Sequence, residues 1–171
     1  MMGSGKSTVG PVLARRLGRS FVDTDACIES RTGLRIAELF AERGEAAFRA
    51  LEREAVEKAA GTGAVVALGG GAIAQPGAAA LLGAAGTVVY LEAAVATLLE
   101  RIGDPEGRPL LEDVPDGQWA ERIGLLLAER QPLYRSARIV VATDARGVEE
   151  VVDEIAERVA SLESGAPGLP S

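Results

Sequence analysis

The chain opens with MMGSGKST, residues Met1 to Thr8, and this stretch decides the fold. It matches the end of the phosphate-binding loop pattern G-x-x-x-x-G-K-[ST], whose first glycine would fall one residue before Met1. Glycines let backbone N–H groups turn toward phosphate oxygens, the following helix points its positive end at them, and Lys6 adds a charge. Ser7 offers its hydroxyl to Mg²⁺. A disordered terminus is the alternative, but the apolar helical run at residues 9–17 favours a nucleotide-phosphate site.

Composition limits the class of protein. With 171 residues, 47% of them hydrophobic and 25% charged, the chain suits a single domain. Cys27 is the only cysteine, so an intramolecular disulfide is excluded and a reducing compartment is expected. The sequence has no histidine, which excludes imidazole base catalysis and a His-ligated zinc. Any catalytic acid or base must therefore be a carboxylate, a lysine or a tyrosine.

Charge and hydropathy exclude two kinds of partner. A net charge of -7 argues against nucleic-acid binding, which depends on clustered Lys and Arg. The longest apolar runs, such as residues 64–68, are far shorter than the roughly 20 residues of a membrane span. We therefore expect a cytoplasmic protein that binds neither nucleic acid nor membrane.

Strand-like and helix-like segments alternate along the chain, which predicts a parallel sheet covered by helices. The predicted strands are residues 20–25, 64–68, 86–91 and 138–142. The predicted helices are residues 9–17, 36–60 with a break at Gly44, 94–102, 119–130 and 148–162. A loop is expected at 103–117, and a flexible tail at 161–171.

Two of the predicted strands end in residues that favour a ligand site, because ligands of open α/β sheets bind at the carboxyl ends of the strands. Asp23 and Asp25 are two residues apart in an extended segment, so both carboxylates are expected to face one crevice beside the loop. One would hold magnesium through water, and the other would bind a substrate hydroxyl. A turn or a helix cap is the alternative. Gly69 to Gly71 predict either a flexible turn or a bare backbone that a ligand approaches closely.

Six motifs together resemble the shikimate kinase family in order and spacing, over residues 1 to about 160. They are GSGKST, D-T-D at 23–25, G-E-x-x-F-R at 44–49, GGG-A at 69–72, R-P-L-L at 108–111 and R-x-P-L-Y at 130–134. The resemblance implies an α/β fold with three layers, α/β/α, around a central parallel sheet of strand order 2-3-1-4-5. It also implies transfer of the ATP γ-phosphoryl group to the 3-hydroxyl of shikimate.

The resemblance assigns roles to individual residues. Those implied at the ATP site are Gly3, Ser4, Gly5, Lys6, Ser7, Thr8, Arg101 against the adenine, and Arg108. Those implied at the shikimate site are Asp25, Arg49, Gly70, Gly71 and Arg130, with Lys6, Asp25 and Arg108 as the catalytic set. Mg²⁺ would be bound by Ser7 and, through water, by Asp23. The partners implied are shikimate and ATP, and a monomer.

Two further expectations accompany this assignment. Residues 103–117 are expected to form a lid that excludes water, with Arg108 reaching the transferred phosphoryl group, although an ordinary surface loop is the alternative. Glu52 lies three residues after Arg49 on one helical face and is expected to hold that arginine by an ion pair.

One departure from the family pattern concerns the first strand, which would precede the loop and for which this chain has no residues. We expect the native protein to begin upstream of Met1. Two other functions stay open at this point: a kinase of another small polyol acid such as gluconate, and a catalytically inactive binding module.

Overall fold

The computed structural model describes residues 1–103, 110–111, 114–115 and 117–165. The helices are α1 Lys6–Arg16, α2 Thr24–Thr32, α3 Ile36–Ala59, α4 Ala78–Ala85, α5 Val95–Ile102, α6 Trp119–Arg135 and α7 Val148–Glu163, with a short 3-10 helix at Ala72–Ala74. The strands are β1 Phe21–Asp23, β2 Val65–Ala67, β3 Val89–Glu92 and β4 Ile139–Ala142. None of the helices in these ranges is long and apolar enough to span a membrane.

The four strands form two parallel pairs. β1 pairs with β2, with Phe21 opposite Val65, and β3 pairs with β4, with Val89 opposite Ile139. An apolar cleft of about 390 Å³ separates β2 from β3 and is also lined by α1 and α7. In the family's own strand numbers, the expected order 2-3-1-4-5 makes the second and third strands neighbours, and likewise the fourth and fifth. The observed pairs β1–β2 and β3–β4 agree with this order, and the described residues form no strand between the two pairs.

Side-chain alternation on β3 and β4 creates the layers. Tyr90 packs into a cluster with residues of α5 and α6, whereas Leu91 packs on the opposite face with α1 and α7. Ile139 and Val141 of β4 join the α1 and α7 side. Because alternate strand residues face opposite sides, both faces of this pair are covered by helices. The predicted α/β/α arrangement is therefore confirmed here.

Helix α3 bends at Gly44, as the sequence predicts. Gly44 has φ 76° and ψ 169°, a backbone conformation that is essentially restricted to glycine. The bend changes the direction of the second half of α3, which carries Arg49 and Glu52. Leu39 and Phe48 of α3 pack with Ile28 of α2 in a separate small core. The position of these two charged residues thus depends on a single glycine.

The structure corrects two expectations and does not test a third. The segment 20–25 is extended only to Asp23, because the Asp23 side chain accepts the amides of Asp25 and Ala26 and starts α2 at once. Helix α7 continues to Glu163, three residues into the predicted tail, and residues 166–171 lie outside the described ranges. Most of the predicted lid, including Arg108, also lies outside them.

Substitution of Gly44 by Ala tests the bend. An added Cβ at Gly44 meets no atom within 4 Å, so any loss reflects backbone strain alone. That strain costs about 1–3 kcal/mol, and Gly44→Ala should lower Tm by about 3–10 °C. Gly124→Ala is the matched control, because Gly124 has equal space inside regular helix α6 and should gain about 0.5–1 kcal/mol. Equal Tm changes of the same sign in the two variants would contradict this account.

Candidate active site

The loop before α1 forms one wall of a cavity of about 800 Å³. Gly5 caps α1 with a left-handed backbone at φ 92°, and its carbonyl accepts the amides of Thr8 and Val9 at 3.1 and 2.8 Å. Lys6 Nζ donates to the Met1 carbonyl at 2.6 Å, which keeps the ammonium against the loop. All the loop residues predicted to bind phosphate line this cavity: Gly3, Ser4, Gly5, Lys6, Ser7 and Thr8.

Asp23 has two functions in the local structure. Its Oδ1 caps α2, and its Oδ2 accepts a hydrogen bond from Ser7 Oγ at 3.5 Å. Asp23 can therefore cap the helix and also bind a metal ion through water, so the two interpretations of the D-x-D motif are compatible. Within the described residues no group of three or more His, Cys, Asp or Glu could hold a metal ion. A serine and a carboxylate fit Mg²⁺, which keeps several waters and takes phosphate oxygens as its other ligands.

Asp25 lies in the first turn of α2 and lines the same cavity. Its Oδ1 is buried and has no hydrogen-bond partner among the described residues. Burial, followed by the charges of Asp23 and Glu52, raises the pKa of Asp25 from 3.8 to about 6. A carboxylate with this pKa is ionised at neutral pH and accepts a proton more readily than an exposed aspartate does.

Arg49 is held on its own helix by two carboxylates. Its Nη1 donates to Glu52 Oε2 at 2.8 Å, and its Nε and Nη2 donate to Glu45 Oε1 at 3.2 and 2.9 Å. Burial lowers the pKa of Arg49, but these hydrogen bonds and charges more than offset the burial and raise it. A guanidinium has five N–H donors, so two, one on each terminal nitrogen, have no partner among the described residues. Together they suit a carboxylate, and the expected ion pair with Glu52 is present.

Arg130 and Tyr134 approach the cavity from α6. Arg130 is buried and lines the cavity, and its Nε has no hydrogen-bond partner in the part of the chain that the structure describes. The Tyr134 hydroxyl donates to the Gly70 carbonyl at 2.6 Å, and its ring stacks on Tyr90 at 5.0 Å. Burial raises the pKa of Tyr134, so the hydroxyl stays protonated as a donor. An inward-facing arginine with a spare N–H suits an anionic ligand.

The glycine turn at 69–71 packs closely against charged side chains. A Cβ on Gly69 would collide with Glu52 Oε1 and would lie 2.8 Å from Asp25 Oδ1. A Cβ on Gly71 would lie 2.5 Å from Arg49 Nη1. Gly70 lines the cavity, whereas Gly71, predicted as a substrate contact, is not among the lining residues and packs on the Arg49 guanidinium instead. The turn therefore brings backbone against three charged side chains.

The opposite end of the cavity carries Arg101. Its guanidinium donates to Thr143 Oγ1 at 2.8 Å and to the Thr143 carbonyl at 2.7 Å. Thr143, Arg146 and Gly147, which follow β4, line this end, and sequence reasoning did not single them out. Their place after a strand is the signal that could have found them. The cavity is also lined by Phe40 and Phe48, whose helical spacing indicated only core packing.

These features indicate a class of enzyme. P-loop enzymes that transfer phosphoryl groups typically combine three features. These are a phosphate-binding loop before a helix, a serine and an aspartate that suit magnesium, and a carboxylate of raised pKa that faces the same cavity. The half-buried Arg49 and the buried Arg130 both line this cavity, which indicates that the acceptor is a small anionic molecule.

Comparison with known proteins identifies the family. The family model described as shikimate kinase matches residues 2–160, and the chain belongs to this family. It is 48% identical to a shikimate kinase of Mycobacterium avium over 164 residues, 95% of this chain and 91% of the relative. It is 45% identical to one of Chlorobium chlorochromatii over 92% of this chain and 86% of the relative.

A solved structure extends the comparison to the fold. The shikimate kinase from Acinetobacter baumannii in complex with shikimate aligns with a TM-score of 0.83 and 36% sequence identity. The alignment covers 96% of this chain and 89% of that chain. The P-loop kinase fold expected from the sequence is therefore confirmed.

Substitution of Asp25 by Asn tests its electrostatic environment. Folding raises the pKa of Asp25 from 3.8 to about 6, so ionised Asp25 lowers the free energy of unfolding. This loss of stability grows between about pH 4 and pH 6 and is constant above pH 6. Asp25→Asn should therefore increase the free energy of unfolding at pH 8 by about 1–2 kcal/mol, which raises Tm by about 3–6 °C, and should leave Tm unchanged at pH 4.

Thermal unfolding at both pH values checks this expectation. Glu57→Gln is the control, because Glu57 is an exposed carboxylate on α3 and should show the same small effect at either pH. An Asp25→Asn protein that is less stable than wild type at pH 8 would refute the assigned environment.

Proposed function

We propose that this chain catalyses ATP-dependent phosphorylation of the 3-hydroxyl of shikimate, giving shikimate 3-phosphate and ADP. One observation carries the proposal: a single cavity of about 800 Å³ is lined by the phosphate loop, by Asp25 and by both Arg49 and Arg130. Membership of the shikimate kinase family supports it. Phosphoryl transfer needs mainly positioning and charge neutralisation, which a site without histidine provides.

Asp25 acts at the acceptor hydroxyl in this proposal. It accepts the hydroxyl proton while the oxygen forms a bond to the γ-phosphorus, and the bond from that phosphorus to the bridging oxygen breaks. The electron pair stays with the leaving ADP. The unpartnered Oδ1 and the raised pKa of Asp25 support this assignment, since both leave the carboxylate ready for a hydroxyl donor.

Arg49 and Arg130 bind the shikimate carboxylate in this proposal. Each terminal nitrogen of Arg49 has one N–H without a partner in the described ranges, and these two N–H groups suit a bidentate contact. Arg130 brings a second positive charge from another helix. Gly70 supplies bare backbone beside the ring, and the Tyr134 hydroxyl fixes its carbonyl. An acceptor without a carboxylate would give neither the remaining N–H groups of Arg49 nor Nε of Arg130 an anionic partner.

Lys6 and the loop amides bind the ATP phosphates, and Arg101 packs at the adenine end. Ser7 and, through water, Asp23 would hold Mg²⁺, which supplies charge neutralisation at the β- and γ-phosphates when bound. Arg108 remains a sequence prediction for a further charge at the transferred group. The family resemblance favours a monomer, and the need for ATP favours the cytoplasm.

An ADP-release assay tests the proposal against the two alternatives. Shikimate should give turnover that depends on both shikimate and Mg²⁺ and stops with EDTA, while gluconate gives only background. Turnover with gluconate alone would favour a kinase of another polyol acid, and no turnover by a folded protein would favour a binding module.

Substitution of Arg49 tests carboxylate recognition within that assay. Arg49→Ala should raise KM for shikimate at least 100-fold, about the 2.7 kcal/mol of a strong charge-assisted pair, and leave KM for ATP unchanged. Arg43→Ala is the control, an exposed arginine on the same helix with no expected effect. Equal loss of affinity for ATP and shikimate in Arg49→Ala would refute the assigned role.

A further inference from the structure

Glu52 is a fully buried carboxylate beside the substrate site, and one residue from outside its helix hydrogen-bonds to it. Its Oε2 accepts Arg49 Nη1 at 2.8 Å and Gln75 Nε2 at 2.7 Å. Its Oε1 has no partner within the residues that the structure describes. Of the two donors to Glu52, only Gln75 lies outside α3, directly after the 3-10 helix that follows the glycine turn.

We infer that Gln75 is a positioning residue, which orients Arg49 for the substrate carboxylate through Glu52. This inference rests on the proposed function. The Arg49 guanidinium packs against Gly71, where a Cβ would lie 2.5 Å from Nη1, so its position depends on the distance between α3 and the glycine turn. The Gln75–Glu52 hydrogen bond joins α3 to the short 3-10 segment that directly follows the turn, and it thereby limits that distance.

The amide of Gln75 has a defined orientation. Its Nε2 must face the carboxylate as donor, and its Oε1 accepts Arg53 Nη2 at 3.5 Å, the long limit of a hydrogen bond. The strong contact of Gln75 is therefore the one to Glu52. Without it, the buried Glu52 carboxylate would keep only Arg49 as partner, and the guanidinium would be drawn toward Glu52 instead of the ligand.

Kinetics of Gln75→Met test the inference, because methionine is unbranched and of similar length but has no N–H. KM for shikimate should rise about tenfold, equivalent to 1.4 kcal/mol, while kcat and KM for ATP stay within about twofold. Gln75→Glu is the second variant, in which an acceptor faces Glu52, and it should show at least the same increase. Arg53→Met is the control and should leave KM unchanged, since it removes only the long contact.

A double variant separates positioning from general damage. In an Arg49→Lys background, Gln75→Met should cause no further increase in KM for shikimate, because the residue acts through Arg49. Additive effects, or a parallel loss in kcat and both KM values, would overturn the inference. So would unchanged KM for shikimate in folded Gln75→Met and Gln75→Glu proteins. Absence of shikimate turnover in the wild type would instead overturn the proposed function.

Discussion

The ion pair between the buried Glu52 and the half-buried Arg49 is the interaction on which the substrate half of the site depends. Glu52 is inaccessible to solvent, and its two oxygens face the guanidinium on one side and the backbone of Gly69 on the other. Loss of one partner of a buried pair typically costs about 3–5 kcal/mol, because the other charge stays buried. The same carboxylate helps to raise the pKa of Asp25. The Glu52 side chain thus links Arg49, the glycine turn and the candidate base Asp25.

The site keeps several polar atoms without partners, and this has a physical reason. Asp25 Oδ1, Glu52 Oε1 and Arg130 Nε are buried and unpaired among the described residues. Buried polar atoms without partners lower the stability of a folded protein, and they are concentrated where a ligand supplies the missing hydrogen bonds. A polyhydroxylated carboxylic acid provides both hydroxyl donors for the carboxylates and acceptors for the guanidinium. The native state is therefore less stable than its packing alone would permit, and substrate binding should recover part of that stability.

Local patterns in the sequence predicted the class of fold. The roles predicted for site residues came from the family resemblance, and most of those residues line one cavity. The phosphate loop, the break at Gly44 and the buried strands follow from glycine placement and apolar runs. Helix α4 was not predicted, because its sequence AAALLGAA has no polar face and shows no helical periodicity. Gln75 was not predicted either, since its contact with Glu52 spans 23 positions and a lone glutamine carries no signal.

Identification of the phosphorylated product tests the central claim most directly, namely that this cavity transfers the ATP γ-phosphoryl group to one hydroxyl of shikimate. Phosphorus and proton NMR of a reaction with ATP, Mg²⁺ and shikimate would show where the phosphorus is attached. The account predicts one phosphate ester, coupled to the proton on C3, formed in equal amount with ADP. Inorganic phosphate with unchanged shikimate, or an ester at another carbon, would contradict it.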